Sequence, residues 1–387
     1  MSLQAKPSGP LTPLGLYVHV PFCARACDFC AFYQEAPRRG DIDRYLEGVA
    51  SEAAAMLTGR PVETIFWGGG TPGLLPAEDL RRLGETLLKQ LPGPPREWSV
   101  EMAPSAVKPD KAAALREIGV NRISMGVQSF DDALLDKLGR QHRANQIYRA
   151  WETLREAGFD NINLDLMFAL PGQSREQWLA DLNEAIRLAP EHISTYCLTF
   201  EEDTALWVKL SEGKLRRDVP QEAELYQLSW ETLEAAGYAQ YEVSNFARPG
   251  HACIHNLNTW KMTEWVGLGP SAASQLGGRR FANVANLDQW LAGIEKGLPA
   301  RVDEVDLTPS ILATDTLIFG LRMNAGVDLA KLEADWPDID LSAVRPWAQT
   351  LVAEGLALLE GNSLRLTPEG RLLADRVGAD ALELLEE

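Results

Sequence analysis

Three of the chain's five cysteines fall in one short run, Cys23-Ala24-Arg25-Ala26-Cys27-Asp28-Phe29-Cys30, directly after the apolar segment Leu16-Tyr17-Val18-His19-Val20. Thiolates separated by three and then two residues can converge on one metal centre. Three ligands leave one iron of a 4Fe–4S cube without a protein thiolate, and an open coordination position is where a small ligand enters. A structural zinc site or an electron-transfer cluster usually shows four closed ligands. The alternative is a zinc site completed by a distant His or Cys. Chance clustering of core cysteines is a poor explanation, because Arg25 and Asp28 do not suit a core segment. Cys197 and Cys253 stand alone and read as small buried hydrophobes.

The elements that must position this run follow from the pattern around it. Strand-like segments at 16–20, 63–67, 98–102, 122–127, 161–168, 192–199 and 241–243 alternate with helix-like segments at 41–57, 76–90, 108–118, 145–157, 174–188 and 221–236. Such alternation predicts parallel strands joined by crossover helices. About six units fit, short of the eight of a closed barrel, so the expected fold is α/β, a partial (β/α)6 barrel of the TIM type. The strands read as apolar on both faces, with polar interruptions. Glu101, Gln128 and Asp165 stand near strand C-terminal ends, where ligands bind in parallel sheets; capping or cross-linking the barrel is the other reading.

From about residue 308 the texture changes to helix, hairpin, helix. Segments 309–323 and 342–354 are helical, 356–359 and 363–366 form a hairpin, and Thr367-Pro368-Glu369 opens a last helix. This predicts a C-terminal α+β unit of winged-helix type. The expected organisation is an arm at 1–13, a barrel at 14–245, an extension at 246–307 and the C-terminal unit at 308–387. Residues 301–306 read as a mixed-charge linker.

The chain has 387 residues, 45% hydrophobic and 24% charged, with a net charge of −18. That composition suits a globular protein with a large core. The acidic balance argues against nucleic acid as partner. No apolar run reaches the length of a bilayer span, and residues 1–13 lack the apolar stretch of a secretory signal. The expected location is the cytoplasm, where a cysteine triplet binds metal rather than forming disulfides.

Gly68-Gly69-Gly70-Thr71-Pro72 follows the second strand. Glycines there let backbone approach a ligand closely; a tight turn is the plain alternative, and the Gly-Lys-Ser/Thr end of a P-loop is missing. Together with Cys-x3-Cys-x2-Cys after the first strand, this resembles the radical S-adenosylmethionine superfamily. The resemblance implies a 4Fe–4S cluster on Cys23, Cys27 and Cys30 whose open iron chelates the amino and carboxylate groups of S-adenosylmethionine. One electron from the cluster would then cleave the sulfonium to a deoxyadenosyl radical. The glycine stretch, Gly69 and Gly70 with Thr71, would help hold the methionine end.

Longer stretches, including Tyr17-Val18-His19-Val20-Pro21-Phe22-Cys23, Gly126-Val127-Gln128-Ser129-Phe130, Asn163-Leu164-Asp165-Leu166-Met167 and Tyr241-Glu242-Val243-Ser244-Asn245-Phe246, resemble the oxygen-independent coproporphyrinogen III oxidase family. That resemblance implies that Tyr17, the backbone of Phe29, and Glu101 contact S-adenosylmethionine. It also implies a second S-adenosylmethionine at Gln128, Arg140 and Asp165. The decarboxylating enzymes carry a fourth cysteine two residues after the third, where this chain has Phe32. That departure, and the early position of Cys23, resemble the HemW branch, the haem chaperones. Its His-Asn-x-x-Tyr-Trp motif is matched by His255-Asn256-Leu257-Asn258-Thr259-Trp260, with Thr in place of Tyr.

Read physically, His255 is a candidate axial ligand for haem iron and Trp260 a candidate porphyrin stacking partner. Cys253 is an alternative thiolate, and a loop histidine beside a packing Trp is the plain alternative. His19 reads as a neighbour of the cluster; His142 and His251 read as loop or supporting residues. The expected function is binding haem, or another porphyrin, and delivering it to acceptor haemoproteins, with peripheral contact to a membrane's inner face. If the chain is an enzyme, the alternative is oxidative decarboxylation of two coproporphyrinogen III propionates to vinyl groups, or another radical reaction on a porphyrin.

Overall fold

Along six consecutive strands, nearly every second side chain is apolar and buried under helices, while the intervening ones are mostly polar and meet one another on the other face. The computed structural model describes residues 13–57, 59–297 and 300–385; the arm expected at 1–13 lies outside these, Pro13 apart. The strands are β1 (Leu14–Val20), β2 (Val62–Gly69), β3 (Glu97–Met102), β4 (Arg122–Gln128), β5 (Ile162–Phe168) and β6 (His192–Cys197). On β5, Ile162, Leu164, Leu166 and Phe168 join the core with Trp178 and Leu182 of the helix Arg175–Leu188. Asn163 and Asp165 face the other way and reach Ser124 of β4. The expectation of strands apolar on both faces is thus corrected: one face is an apolar seat for helices, the other a polar lumen.

β1 to β6 are neighbours in that order and all parallel. Two further sets of strands lie outside them. β7 (Ala239–Gln240) and β8 (Asn245–Ala247) are antiparallel, with β8 on β6. The strand expected at 241–243 is instead the crossing between them, and Glu242 there bridges to Met323. On the other flank, β9 (Trp265–Leu268) runs parallel to β1, and β10 (Ala273–Leu276), β11 (Arg279–Asn283) and β12 (Arg301–Asp306) continue antiparallel. β1 and β6 therefore never meet, and the barrel is partial and open. The linker expected at 301–306 is strand β12 at the edge of the sheet. Its charges are the solvated face of an edge strand, a pattern that also discourages edge pairing.

Residues beyond 308 build a second core of their own around Leu317, Leu332, Leu351 and Leu364. It combines the helices Pro309–Arg322, Leu329–Asp335, Val344–Ala353 and Ala374–Leu385 with a small antiparallel sheet. That sheet is β13 (Val327–Asp328), β14 (Ala357–Glu360) and β15 (Ser363–Leu366), in the order β13-β15-β14. Thr367 caps the turn after β15, accepting the Gly370 N–H at 3.1 Å.

Glu52, on the helix Asp41–Met56, ties the barrel to its β9–β11 flank. Its buried carboxyl accepts the Gly269 N–H at 2.8 Å, the Asn283 amide at 2.7 Å and the Trp290 indole N–H at 3.2 Å. Burial outweighs these bonds and the nearby Arg301, pushing its pKa up to about 7. The folded state therefore holds the Glu52 proton more tightly than the unfolded chain does. Its contribution is full below about pH 4.5 and is lost as pH rises through about 7, on the order of 3 kcal/mol. Urea midpoints of the wild type are expected to fall between pH 5 and 7.5 more steeply than those of Glu52→Gln. Equal slopes would show that Glu52 is ionised throughout.

Candidate functional site

The cysteine run leaves the C-terminal end of β1 as an irregular loop held at both ends. The Cys23 N–H donates to Glu35 O at 3.0 Å, and the Asp28 N–H to Leu138 O at 3.0 Å. On the far side, the Leu206 N–H donates to Asp28 O, and Lys209 pairs with the Asp28 carboxylate at 2.8 Å. All three thiols are free and half-buried. Cys23 Sγ lies 3.0 Å from the Thr71 hydroxyl, and Arg140 donates to Cys27 Sγ at 3.4 Å. Burial pushes the Cys23 and Cys30 thiols up, while Arg140 pulls both back toward the thiolate.

Among the described residues no three His, Cys, Asp or Glu side chains meet around one ion-sized point. A cube asks for something else, since each thiolate takes a different iron and the three sulfurs stand apart. Three free thiols on one loop beside a hydroxyl and a guanidinium fit such a donor set.

The glycine run closes against this loop. The Gly70 N–H donates to Val20 O and the Thr71 N–H to Phe22 O, both at 2.8 Å. A side chain on Gly69 (φ +98°) would stand 2.6 Å from the His19 ring; one on Gly68 would stand 3.0 Å from the Glu101 carboxylate. Glu101, on the neighbouring strand β3, therefore lies against the glycine run. Burial, then Asp165, raises its pKa to about 8 against a hydrogen bond from the Gly69 backbone and the charge of Arg122. Two carboxyl groups in one enclosure favour a cationic ligand group such as an ammonium or a sulfonium. Tyr17, whose hydroxyl is raised by burial and by Glu101, lies 3.2 Å from His19 Nδ1, and His19 Nε2 is 2.9 Å from Tyr33 O. Phe29 packs, half-buried, against a small apolar cluster that includes Leu138, Met167 and Leu206. Phe32 is 69% exposed outside the loop.

Further round the lumen, Gln128 ends β4 at φ +66°, a conformation few non-glycine residues adopt. A bulge there turns its side chain back over Gly126, beside Arg140. Asp181 holds the turn, accepting from Ser129 Oγ and the Phe130 N–H at 2.7 Å each. Asp165 accepts from Ser124 at 3.0 Å and Asn163 at 2.7 Å. Below them Arg122 is 2% exposed; it donates to Ser99 at 3.4 Å, and its Nε has no partner among the described residues. Tyr196 of β6 is 39% exposed although its strand is interior, because it stands in the open lumen near Asp165.

His255 is not with them. It sits on the helix Ile254–Trp260 beneath the N-terminal ends of β1, β2 and β3, roughly 15–20 Å along the strands from the cysteines. The residue is 8% exposed, and its ring stacks on Phe66 at 5.2 Å with Nδ1 2.9 Å from the Thr64 hydroxyl. Burial holds its pKa down to about 4, so it is neutral. Glu97 anchors the helix, accepting the Ile254 N–H at 2.8 Å, the His255 N–H at 2.9 Å and the Cys253 thiol at 3.4 Å. Burial pushes that thiol up to about 12, which makes Cys253 a poor source of thiolate. Trp260 packs on Phe319 with Arg322 over its ring, against the C-terminal unit.

The structure thus gathers Tyr17, Cys23, Cys27, Phe29, Cys30, Gly69, Gly70, Thr71, Glu101, Gln128, Arg140 and Asp165 around the C-terminal end of the barrel, and sets His255 at the opposite end. His142, buried with Nε2 3.0 Å from Val127 O, supports the turn after β4. Sequence reasoning missed Arg122, Tyr196 and Asp181. The first two are every-second-residue positions of strands, a period-two signal that was present; Asp181 lies on a helix and carries no local signal.

Comparison with known proteins then places the chain. The model of the radical SAM superfamily matches residues 17–185, and that of the HemN C-terminal domain matches residues 307–373. The heme chaperone HemW of Bacillus subtilis is 36% identical over 93% of this chain and 97% of its own length. The heme chaperone HemW of Escherichia coli is 38% identical over 68% of this chain and 70% of its own. The mouse radical S-adenosyl methionine domain-containing protein 1, mitochondrial, is 32% identical over 98% of this chain and 90% of its own. Among solved structures, coproporphyrinogen III oxidase (HemN) from Escherichia coli, a radical SAM enzyme, superposes with a TM-score of 0.84 at 25% identity. The match covers 96% of this chain and 91% of that one.

Proposed function

The chain belongs to the HemW heme-chaperone family within the radical SAM superfamily, and from that premise we propose that it binds haem and passes it to acceptor haemoproteins. The observation that carries the reading is an alignment at 36% identity with the Bacillus subtilis HemW that spans 93% of this chain and 97% of that one. The exposed Phe32, where the decarboxylases carry a further cysteine, supports it. Radical SAM membership implies a 4Fe–4S cluster and S-adenosylmethionine. Cys23, Cys27 and Cys30 would hold the cluster. Tyr17, the Phe29 backbone, Gly69, Gly70, Thr71 and Glu101 would hold S-adenosylmethionine, with Gln128, Arg140 and Asp165 beside them. Once bound, the cluster supplies an electron at its open iron. The protein's own part is to seat the cationic groups against Glu101 and to keep the glycine backbone within reach. No helix among the described residues is long and apolar enough to cross a membrane; we place the protein in the cytoplasm, with any membrane contact peripheral.

His255 enters this proposal in an opened state. In the closed arrangement its ring is occupied by Thr64 and Phe66, so iron reaches it only when the helix Ile254–Trp260 leaves its anchor on Glu97. Anaerobically reconstituted wild type should take up about one haem per chain in an absorbance titration. His255→Ala should weaken that binding at least tenfold, and Glu97→Gln, which loosens the anchor, should speed it. Unchanged affinity and Soret position in His255→Ala would remove His255 from the haem site. Turnover of coproporphyrinogen III to protoporphyrinogen by the same preparation would overturn the chaperone reading in favour of the enzyme.

A further inference from the structure

We propose that the C-terminal unit is a clamp that controls access to His255, because it holds the helix Ile254–Trp260 at both ends. The inference rests on the reading of His255 as a haem ligand reached only when that helix opens. At the far end of the helix, the Trp260 ring lies 5.9 Å from that of Phe319, and the Arg322 guanidinium stands over it at 5.6 Å. Both partners belong to the helix Pro309–Arg322 of the C-terminal unit. At the near end the hold is indirect and passes through Tyr241. The Asn324 N–H donates to Tyr241 O at 3.0 Å, and the Asn324 side-chain amide donates to Gln240 O at 2.9 Å. Arg371 donates to the Gln240 side chain, and Glu242 bridges to Met323. The C-terminal unit thereby pins the crossing between β7 and β8. From there the Tyr241 hydroxyl accepts the Cys253 N–H at 3.2 Å, one residue before the helix begins.

Hydrogen-bond direction makes Tyr241 a fixed post. The Asn163 amide nitrogen donates to Asp165 at 2.7 Å, which turns its carbonyl oxygen toward His192 Nδ1 at 2.6 Å. A carbonyl oxygen only accepts, and burial keeps His192 neutral, so its one proton sits on Nδ1. Nε2 then accepts from the Tyr241 hydroxyl at 2.8 Å. With its proton committed to His192, the Tyr241 oxygen offers a lone pair to Cys253. The closed junction also carries a cost. Glu242 Oε1, Arg322 Nε, Asn324 Oδ1 and Arg371 Nε are all buried there without a hydrogen-bond partner among the described residues. Unpaired buried polar atoms disfavour the closed state, and opening returns them to water. The helix is therefore held at its two ends by a junction that gains solvation when it releases.

Phe319→Ala loosens the far hold and Asn324→Ala the near one, and both lie in the C-terminal unit rather than on the helix that carries His255. Hydrogen exchange read by mass spectrometry on the full chain, without haem, reports opening of residues 253–261. Exchange there should speed about tenfold in each variant, while peptides of β2 to β5 keep the wild-type rate. Haem that binds only the open form gains affinity in proportion to the open fraction. The absorbance titration should therefore show Kd falling by the same factor, with an unchanged Soret position. In a Tyr241→Phe background Asn324→Ala should add little, because its route to Cys253 is gone. Leu358→Ala, at an exposed position of β14, should change neither readout.

Wild-type exchange at 253–261 in both variants would overturn the inference. So would faster exchange with unchanged haem affinity, because the helix would then not be the gate. Should Phe319→Ala fail to fold, Phe319→Leu together with Asn324→Ala decides. Wild-type protein that takes up no haem, with exchange as expected, would instead refute the haem reading beneath the clamp and not the hold of the C-terminal unit on the helix.

Discussion

Replacing Cys27 with alanine is expected to reduce the iron bound after anaerobic reconstitution from about four per chain to a small residue of that, while the melting temperature stays nearly unchanged. The two halves of that outcome have separate causes. Cys27 is the middle ligand of three, and its loss leaves two irons of a cube without thiolates. A cluster so exposed to solvent does not persist. The fold loses little, because Cys27 is half-buried in an irregular loop and its one side-chain hydrogen bond among the described residues is the weak donation from Arg140. Substitutions of that kind usually move stability by about 0.5 kcal/mol or less. Cys253→Ala is the informative contrast. It should keep the iron, because Cys253 lies at the other end of the barrel, and it should lower the melting temperature by removing a buried partner of Glu97. If Cys27→Ala kept its full iron, the triplet would not be the cluster site.

Gly70→Ala should cost both stability and S-adenosylmethionine binding. The added carbon would stand 2.7 Å from Phe22 O and 2.8 Å from Val20 O. Both are backbone atoms, so no side-chain rotation relieves the clash, and the strand end must move. Overpacking of this kind costs about 1–3 kcal/mol. The displaced backbone leads straight into Cys23, and the next residue, Thr71, donates its N–H to Phe22 O and holds the Cys23 thiol. One methyl group therefore moves the glycine cradle and the first cluster ligand together. Chemical denaturation should show the lower midpoint, and calorimetry on reconstituted protein should show S-adenosylmethionine binding weakened tenfold or more. Wild-type affinity in Gly70→Ala would mean the glycine run is only a turn. Gly93→Ala, where the new carbon meets nothing within 4 Å, is the control expected to change neither.

Much of this site is legible in the sequence, because its signals are local. The spacing of Cys23, Cys27 and Cys30 depends on a few bonds of chain. The glycines of 68–70 announce a close approach wherever they fold. Helix starts such as Ser174 and Thr367, each accepting from the third residue onward, are likewise written in neighbouring residues. Harder to read were elements whose state is decided by a neighbour. Residues 301–306 look like a charged linker until β11 pairs with them. Residues 241–243 look like a strand until Glu242 is drawn across to Met323. The lumen was hidden for a related reason: a strand buried on both sides gives only a weak alternation, and Asn163 and Asp165 read as interruptions.

The sequence by itself determined the metal-binding loop, the glycine cradle, the strand–helix alternation and the family, since each is carried by contiguous residues or by their order along the chain. Only the tertiary structure decided which residues share an end of the barrel. β9 runs parallel to β1, pairing Trp265 with Gly15, so the helix that precedes β9 must lie under the start of β1. That single long-range pairing puts His255 on Glu97, Thr64 and Phe66, away from the cysteines that the same strand β1 delivers at its other end. Parallel pairing fixes direction as well as neighbour, and direction is set by where two distant segments meet.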